Sequence, residues 1–286
     1  MKFRTEIQVP SYPFKISHTN TLFLVGSCFS DHFGNFFTRY QFNACSNPFG
    51  TLFNPISIAH ALQMAMEPGL FTDKYIDFFN DRWISYAHHG RFSHADKAFF
   101  EKKIKDSLDI ARNYLLQSDY LFITMGTAYC YRLTERNLVV ANCHKIPAAK
   151  FEKFRLSVNE VVEVYRDLCK KLFSFSPKLK IIFTVSPVRH LGDGFHENQL
   201  SKSILHLAVE ELLDDEKCFY FPAFEILQDD LRDYRFYAAD LVHPAESAVT
   251  YIREKLSASI FSEDTVKHIE KLEKLLKAQE HIPLQK

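Results

Sequence analysis

The stretch Thr21-Leu-Phe-Leu-Val-Gly-Ser-Cys-Phe-Ser30 decides the fold class of this chain. Residues 21–25 combine a β-branched threonine with large apolar side chains, which predicts a short buried strand ending at Gly26-Ser27. The polar and aromatic residues 30–40 that follow can form a helix. A buried strand that passes through a glycine into a helix is typical of the α/β class.

Three further apolar runs repeat this design. They predict strands at residues 119–124, 179–185 and 218–221, and the first of them is followed by Gly126. Because these runs are short and bounded by turn residues, they indicate buried strands rather than long helices.

Helices are predicted between the strands. Ser157 and Glu160 form a capping-box pattern at the start of one helix. Residues 197–213 predict a second helix, whose apolar stripe is Leu200, Ile204, Leu207 and Leu212. Pro244 suits the first turn of a third. Strands that alternate with helices predict a mainly parallel sheet covered on both faces, with ligands bound beyond the carboxyl ends of the strands.

The chain of 286 residues is within the range of one large domain. We expect a single domain over residues 1–262, with an irregular, aromatic insertion at about 67–106. Residues 263–286 are charged and amphipathic, which predicts a C-terminal helix that packs at the edge of the domain or mediates association.

Charge and cysteine usage narrow the classes of partner. Lys and Arg number 35 and Asp and Glu number 35, so no overall field favours a nucleic acid. The six cysteines have no C-x-x-C spacing and are interpreted as free thiols. The N-terminal residues contain no unbroken apolar run of the kind found in signal peptides and membrane anchors, so we expect a cytoplasmic protein without a membrane partner.

No cofactor or metal is indicated by the sequence. It contains neither a glycine-rich phosphate loop nor a G-x-G-x-x-G motif. His88, His89 and His94 lie close together along the chain, but no HExxH motif or spaced carboxylate accompanies them. They are interpreted as surface or core histidines.

Ser27 is the first candidate for chemistry. A serine between a strand and a helix lies where backbone N–H groups and the helix dipole can stabilise an oxyanion, as acyl transfer requires. The alternative is a serine that only caps the helix. Cys28 is a rival nucleophile, because a helix N-terminus can lower the pKa of a thiol.

Asp240 and His243 are the second candidate. An Asp three residues before a His, on a loop that leads into a helix, can orient one imidazole nitrogen while the other faces a serine. The alternative is an exposed loop with a capping aspartate. The order of Ser27 first, with Asp240 and His243 together near the C-terminus, favours a hydrolase.

Two polar clusters follow predicted strands. Asn142 with His144, and Arg189 with His190, are candidates for substrate contact. A guanidinium suits a carboxylate or phosphate group. Hydrogen bonding within the loops is the alternative role.

The combination of motifs resembles the GSCFA family. The motifs are G-S-C-F-S at 26–30, N-P-F-G-T-L-F-N-P at 47–55, S-P-V-R-H at 186–190 and D-x-x-H at 240–243, and the resemblance runs from about residue 20 to about 260. That family is similar to SGNH, or GDSL-like, hydrolases. The resemblance implies a flavodoxin-like three-layer α/β/α sandwich.

The resemblance also implies roles for individual residues. The nucleophile falls on Ser27, and the acid and base fall on Asp240 and His243. An oxyanion glycine falls on Gly50, and the backbone at Cys28 and at Gly126 offers further donors. The third block of the superfamily, Gly-x-Asn, is Gly126-Thr127-Ala128 here, without the Asn. Candidates for the missing donor are Thr127, Asn54 and Asn142.

The predicted activity is hydrolysis of an ester, with an acyl group such as acetate removed from a carbohydrate or other small metabolite. An acyltransferase would use the same side chains. A binding module that keeps the pocket without the chemistry is the alternative from another class. The sequence does not indicate an oligomeric state.

Overall fold

A computed structural model of the chain describes residues 4–214 and 216–280. Its central sheet has five parallel strands in the described residues, in the order β10-β9-β5-β1-β2. The strands are β1 Thr21–Gly26, β2 Asn43–Ser46, β3 Ile76–Phe79, β4 Arg82–Ser85, β5 Tyr120–Met125, β6 Tyr129–Leu133, β7 Leu138–Val140, β8 Phe151–Arg155, β9 Lys180–Val185 and β10 Cys218–Tyr220. Numbered along the sheet alone, the order is that of flavodoxin-like folds, and the predicted fold class is confirmed.

The helices cover both faces of this sheet. They are α1 Cys28–Arg39, α2 Pro55–Met66, α3 Lys97–Gln117, α4 Val158–Phe175, α5 Phe195–Glu210, α6 Ala223–Glu225, α7 Glu246–Ile260 and α8 Glu263–Glu280. The capping box that predicts the start of α4 is confirmed, with both Ser157 and Glu160 hydrogen bonds formed. The helix after Pro244 begins at Glu246, two residues later than predicted.

Side chains that alternate in direction along β1 contact helices on both faces of the sheet, which gives the three layers helix, sheet and helix. Phe23 and Val25 pack into a core formed with α2, α3, α4 and α5. Leu22 and Leu24 pack into a second core on the opposite face, formed with α1 and α7. Successive side chains of a strand point to opposite faces, so a continuous apolar run such as this one is buried by helices on both sides.

The predicted insertion contains regular structure. β3 and β4 form an antiparallel hairpin, and α3 begins within the predicted range and leads into β5. A three-stranded antiparallel sheet, β7-β6-β8, lies between β5 and α4 along the chain. These short strands show no clear alternation of apolar residues, so the sequence pattern does not predict them.

The C-terminal helix α8 packs against the second core. The preceding segment forms a parallel bridge between Ile16 and Phe261, and Val266, Ile269, Leu272 and Leu276 pack against the second core. The last part of the predicted helix, 281–286, lies outside the described residues. Among the residues that the structure describes, no helix combines the length and apolar character needed to cross a bilayer.

The turn after β1 fixes where the first helix starts. Gly26 has φ of +134°, and a Cβ atom there would lie 2.1 Å from the carbonyl oxygen of Thr124 on the neighbouring strand. Only glycine permits this close approach. The N–H of Ser27 donates to the same oxygen at 3.0 Å. Ser27 therefore lies between β1 and β5, where the strand order reverses and open α/β sheets bind ligands.

Candidate active site

Ser27 and His243 line the same cavity, although they are separated by most of the chain. The cavity has a volume of about 510 Å³. Its described lining is Ser27, Cys28, Phe53, Gly126, Ser186, Val188, Arg189, His190, Leu191, Gly192, Val242 and His243. Because Ser27, Gly126 and Ser186 each follow a central strand, the cavity opens at the carboxyl edge of the sheet.

Ser27 lies at the floor of this cavity and caps α1. Ser27 is only 1% exposed. Its Oγ accepts a hydrogen bond from the N–H of Phe29 at 3.3 Å. A hydroxyl that accepts one hydrogen bond can still donate its proton. The capping role therefore does not prevent Ser27 from acting as a nucleophile.

Asp240 and His243 form a hydrogen-bonded pair at the rim. Asp240 Oδ2 lies 2.7 Å from His243 Nδ1. Asp240 Oδ1 accepts the backbone N–H groups of Val242 and His243, at 2.9 Å and 3.0 Å. The backbone N–H of His243, then that of Val242, and then the imidazole lower the pKa of Asp240 to about 2. A carboxylate beside Nδ1 favours the imidazole tautomer that carries its proton on Nδ1, in which Nε2 is the acceptor.

Backbone hydrogen bonds hold the loop that carries Asp240 and His243. Leu241 has φ of +57°, and Ala238 donates its N–H to the carbonyl of His243 at 2.8 Å. Arg189 donates its N–H to the carbonyl of Val242 at 3.2 Å. The last contact links the loop after β9 to the loop that carries the imidazole.

Cys28 also lines the cavity, but its thiol is not activated. Burial, followed by the nearby Asp31 carboxylate, raises the pKa of Cys28 above its usual value of 9.0. The thiol is therefore protonated near neutral pH. Since the thiolate is the nucleophilic form, this electrostatic environment favours Ser27 over Cys28.

The predicted oxyanion donors differ in whether their N–H groups already have a hydrogen-bond acceptor. The N–H groups of Gly126 and Thr127 both donate to the carbonyl of Phe53, at 2.8 Å and 3.0 Å, and Thr127 Oγ1 pairs with Ser201. Gly50 donates its N–H to the carbonyl of Asn47 at 2.8 Å and packs against His89. Cys28 is the first residue of α1, where a backbone N–H lacks an intrahelical acceptor.

The predicted substrate-binding residues divide into two groups. Arg189 and His190 line the cavity, and the Arg189 guanidinium lies 4.2 Å from the ring centroid of Tyr237. Asn54, Asn142 and His144 are not among the described lining residues. Asn54 caps α2 through Ser57, Asn142 accepts the N–H of His144, and the His144 ring pairs with the carbonyl of Ser85.

Asn47 supports the Ser27 turn, a role that the sequence pattern does not predict. Its side chain is buried. Oδ1 accepts the N–H of Gly26 at 2.9 Å, while Nδ2 donates to Asp31 Oδ1 at 2.8 Å and to the carbonyl of Ser27 at 3.4 Å. Within the motif N-P-F-G at 47–50, the residue that contacts the Ser27 turn is Asn47, not the predicted oxyanion residue Gly50.

The predicted apolar stripe of α5 is right in part and overlooks a buried lysine: Leu212 is buried in the core formed with α2, α3 and α4, and Ile204 packs against that core. Leu207 is 59% exposed, whereas Lys202 is 2% exposed. The buried face is Asn198, Ser201, Lys202, Leu205, Ala208 and Val209. Ser201 and Lys202 on this face contact the segments that follow β5 and β9, and a count of apolar residues at helical spacing passes over such polar side chains.

The histidines of the insertion have local partners. His88 is buried, and its Nδ1 lies 2.8 Å from Ser85 Oγ. Burial, followed by His144, lowers the pKa of His88 to about 3. Within residues 4–214 and 216–280, no group of three or more His, Cys, Asp and Glu side chains is arranged to hold a metal ion.

The fold and the cavity define a flavodoxin-like α/β protein with Ser27 and a His–Asp pair at the carboxyl edge of its sheet. The chain belongs to the GSCFA family, whose profile matches residues 21–256. No curated protein sequence matches the chain.

Two similar solved structures are both esterases by description. One is a carbohydrate esterase family 3 from Talaromyces cellulolyticus, with 10% identity, 57% of this chain and 67% of that chain covered, and a TM-score of 0.31. The other is a mutant acetyl esterase with acetate ion, with 11% identity, 58% of this chain and 68% of that chain covered, and a TM-score of 0.30. At this distance neither similarity carries an argument about activity.

Proposed function

We propose that this protein hydrolyses an ester through an acyl-enzyme on Ser27, as SGNH-like hydrolases do. The observation that carries the proposal is that Ser27, at the N-terminus of α1, and His243, paired with Asp240, line one cavity. A nucleophile, a base and a group that orients the base are the parts that acyl transfer needs.

In the proposed reaction, Ser27 Oγ attacks the ester carbonyl while His243 Nε2 accepts the hydroxyl proton. The carbonyl oxygen becomes an oxyanion, and the N–H of Cys28, at the positive end of the α1 dipole, stabilises it. The C–O bond to the alcohol then breaks as His243 returns the proton to the leaving oxygen. Water then attacks the acyl carbonyl while His243 accepts its proton. The bond to Ser27 Oγ breaks as the proton returns to Oγ, which releases the acid. Asp240 stabilises the imidazolium in both half-reactions.

The cavity suits the acyl part of an ester. Much of its wall is apolar, from Phe53, Val188, Leu191 and Val242, and apolar side chains favour an alkyl group over water. Arg189 borders this cavity and also a neighbouring cavity of about 370 Å³, which is lined by Tyr234, Tyr237 and other polar residues. We place the acyl group in the first cavity and the alcohol part of the substrate towards the second.

A labelling experiment tests the nucleophile directly. Incubation with a fluorophosphonate, followed by peptide mass spectrometry, should add one phosphonyl group to Ser27 and none to Cys28. The same preparation should hydrolyse p-nitrophenyl acetate. An unlabelled Ser27 with no ester turnover would contradict the proposal, even if a ligand still raised the melting temperature.

Arg189→Ala should separate binding of the alcohol from chemistry. The guanidinium lies at the border between the cavities, so the variant should raise KM for an acetylated sugar by about 10-fold, the effect of roughly one lost charged hydrogen bond. For p-nitrophenyl acetate, kcat/KM should stay within about threefold. Arg235→Ala is a matched control, because Arg235 borders a different cavity. An equal loss of kcat/KM on the acetylated sugar and on p-nitrophenyl acetate would refute the placement of the alcohol beside Arg189.

A further inference from the structure

Lys202 lies beneath the candidate active site with its charged group out of water. It is 2% exposed and lies on the buried face of α5. Burying an ammonium is costly unless hydrogen bonds compensate for the lost hydration. An apolar side chain of similar length could fill the same space without that cost, so packing alone does not account for a lysine at this position.

The ammonium joins the ends of two adjacent strands. Lys202 Nζ donates to the carbonyl of Gly126 at 2.7 Å and to the carbonyl of Ser186 at 2.7 Å. Gly126 follows β5 and Ser186 follows β9, and both residues line the cavity that contains Ser27. One cation therefore bridges two backbone segments in the cavity wall.

The preceding residue of α5 contacts the same region. Ser201 Oγ accepts the N–H of Ala128 at 2.7 Å and lies 3.0 Å from Thr127 Oγ1. These contacts hold Gly126-Thr127-Ala128, the block in which the Asn of related hydrolases is absent. Helix α5 thus supplies polar side chains to the segment that lacks its expected amide.

We propose that Lys202 is a positioning residue of the active site: its buried ammonium fixes Gly126 and Ser186 and places a positive charge under the site where the oxyanion forms. The inference rests on the proposed esterase function. Lys202 acts on the reaction through the backbone and through its field, without contact with the substrate.

The charge state of Lys202 should appear in the dependence of the enzyme activity on pH. Burial lowers the pKa of Lys202 to about 7, while its two carbonyl acceptors favour the ammonium form. The titratable groups that face it are Cys28 of α1, His190 of the loop after β9 and His206 of α5. A lysine is protonated below its pKa, so the positioned form is present at low pH and is lost as pH rises.

Lys202→Met and Lys202→Arg test the proposal with p-nitrophenyl acetate. Lys202→Met should lower kcat by about 100-fold, the effect of a small misplacement of the reacting groups, with KM within about threefold. The wild-type kcat/KM should decline on the alkaline side of neutral pH. Lys202→Arg should recover part of the activity and lose that decline, because a guanidinium does not titrate there.

Lys217→Met is the matched control. Lys217 also donates its Nζ to a backbone carbonyl, that of Pro177 at 3.1 Å, but it does not line the cavity. Its kcat and pH profile should match the wild type. Full activity in Lys202→Met, or an unchanged alkaline decline in Lys202→Arg, would overturn the proposal while leaving the Ser27 assignment intact.

Hydrogen exchange gives a readout that does not depend on turnover. In Lys202→Met, backbone amides in peptides that cover residues 126–130 and 186–190 should exchange at least about 10-fold faster, while those of α1 remain protected. Unchanged exchange in both peptides would refute the anchoring role, whatever the enzyme activity. Inactive wild-type protein with Ser27 unlabelled would refute the esterase function instead.

Discussion

Ser27→Ala should lower kcat/KM for p-nitrophenyl acetate by at least about 10⁴-fold, because removal of Oγ leaves no nucleophile to form the acyl-enzyme. The fold should tolerate the change, since the cap hydrogen bond to Phe29 is a single long contact of 3.3 Å. Loss of an N-cap serine costs about 1 kcal/mol. Steady-state kinetics and a thermal melt on one preparation separate the two effects.

Cys28→Ser is the control for this result. Burial and Asp31 keep the Cys28 thiol protonated, so the variant should retain kcat/KM within about fivefold and should still be labelled at Ser27. If Ser27→Ala kept its activity and Cys28→Ser lost it, the nucleophile would be the thiol.

His243→Ala should have the second large effect, a loss of about 10⁴-fold in kcat/KM for the same ester. The imidazole is the group in the cavity that is oriented by a carboxylate, at 2.7 Å from Asp240. Without it, neither the hydroxyl proton nor the leaving alkoxide has a proton carrier. The folded stability should change little, because the ring is 48% exposed.

Asp240→Asn distinguishes the orientation of the His243 imidazole by Asp240 from proton transfer by the imidazole itself. The amide can keep the backbone hydrogen bonds of the loop, but its N–H₂ group facing Nδ1 would favour the other imidazole tautomer. We expect a loss of at least about 100-fold, smaller than that of His243→Ala. Because the pKa of Asp240 is about 2, the wild-type enzyme should show no loss from Asp240 protonation above about pH 4. An Asp240→Asn variant with full activity would show that the carboxylate is not needed.

The fold could be predicted because its signals are local. Residues 21–25 and 179–185 are short, mainly apolar runs, as expected of strands covered on both faces, and Ser157 with Glu160 marks a helix start within one turn of chain. The hairpin β3–β4 and the sheet β7-β6-β8 escaped prediction because their short strands are half exposed and their side chains show no clear period.

By itself, the sequence determined the strands β1, β5, β9 and β10 of the central sheet, the serine at the end of β1, and an Asp–His pair whose hydrogen bond spans three residues. Tertiary structure alone decided that Gly50 lies against His89, that Asn47 holds the Ser27 turn, and that Lys202 bridges β5 and β9. The physical reason is the range of the contacts. A cap or a D-x-x-H pair is formed by residues close along the chain, whereas the partners of Lys202 are 76 and 16 residues away and meet it only because the strands are parallel and α5 crosses beneath their ends.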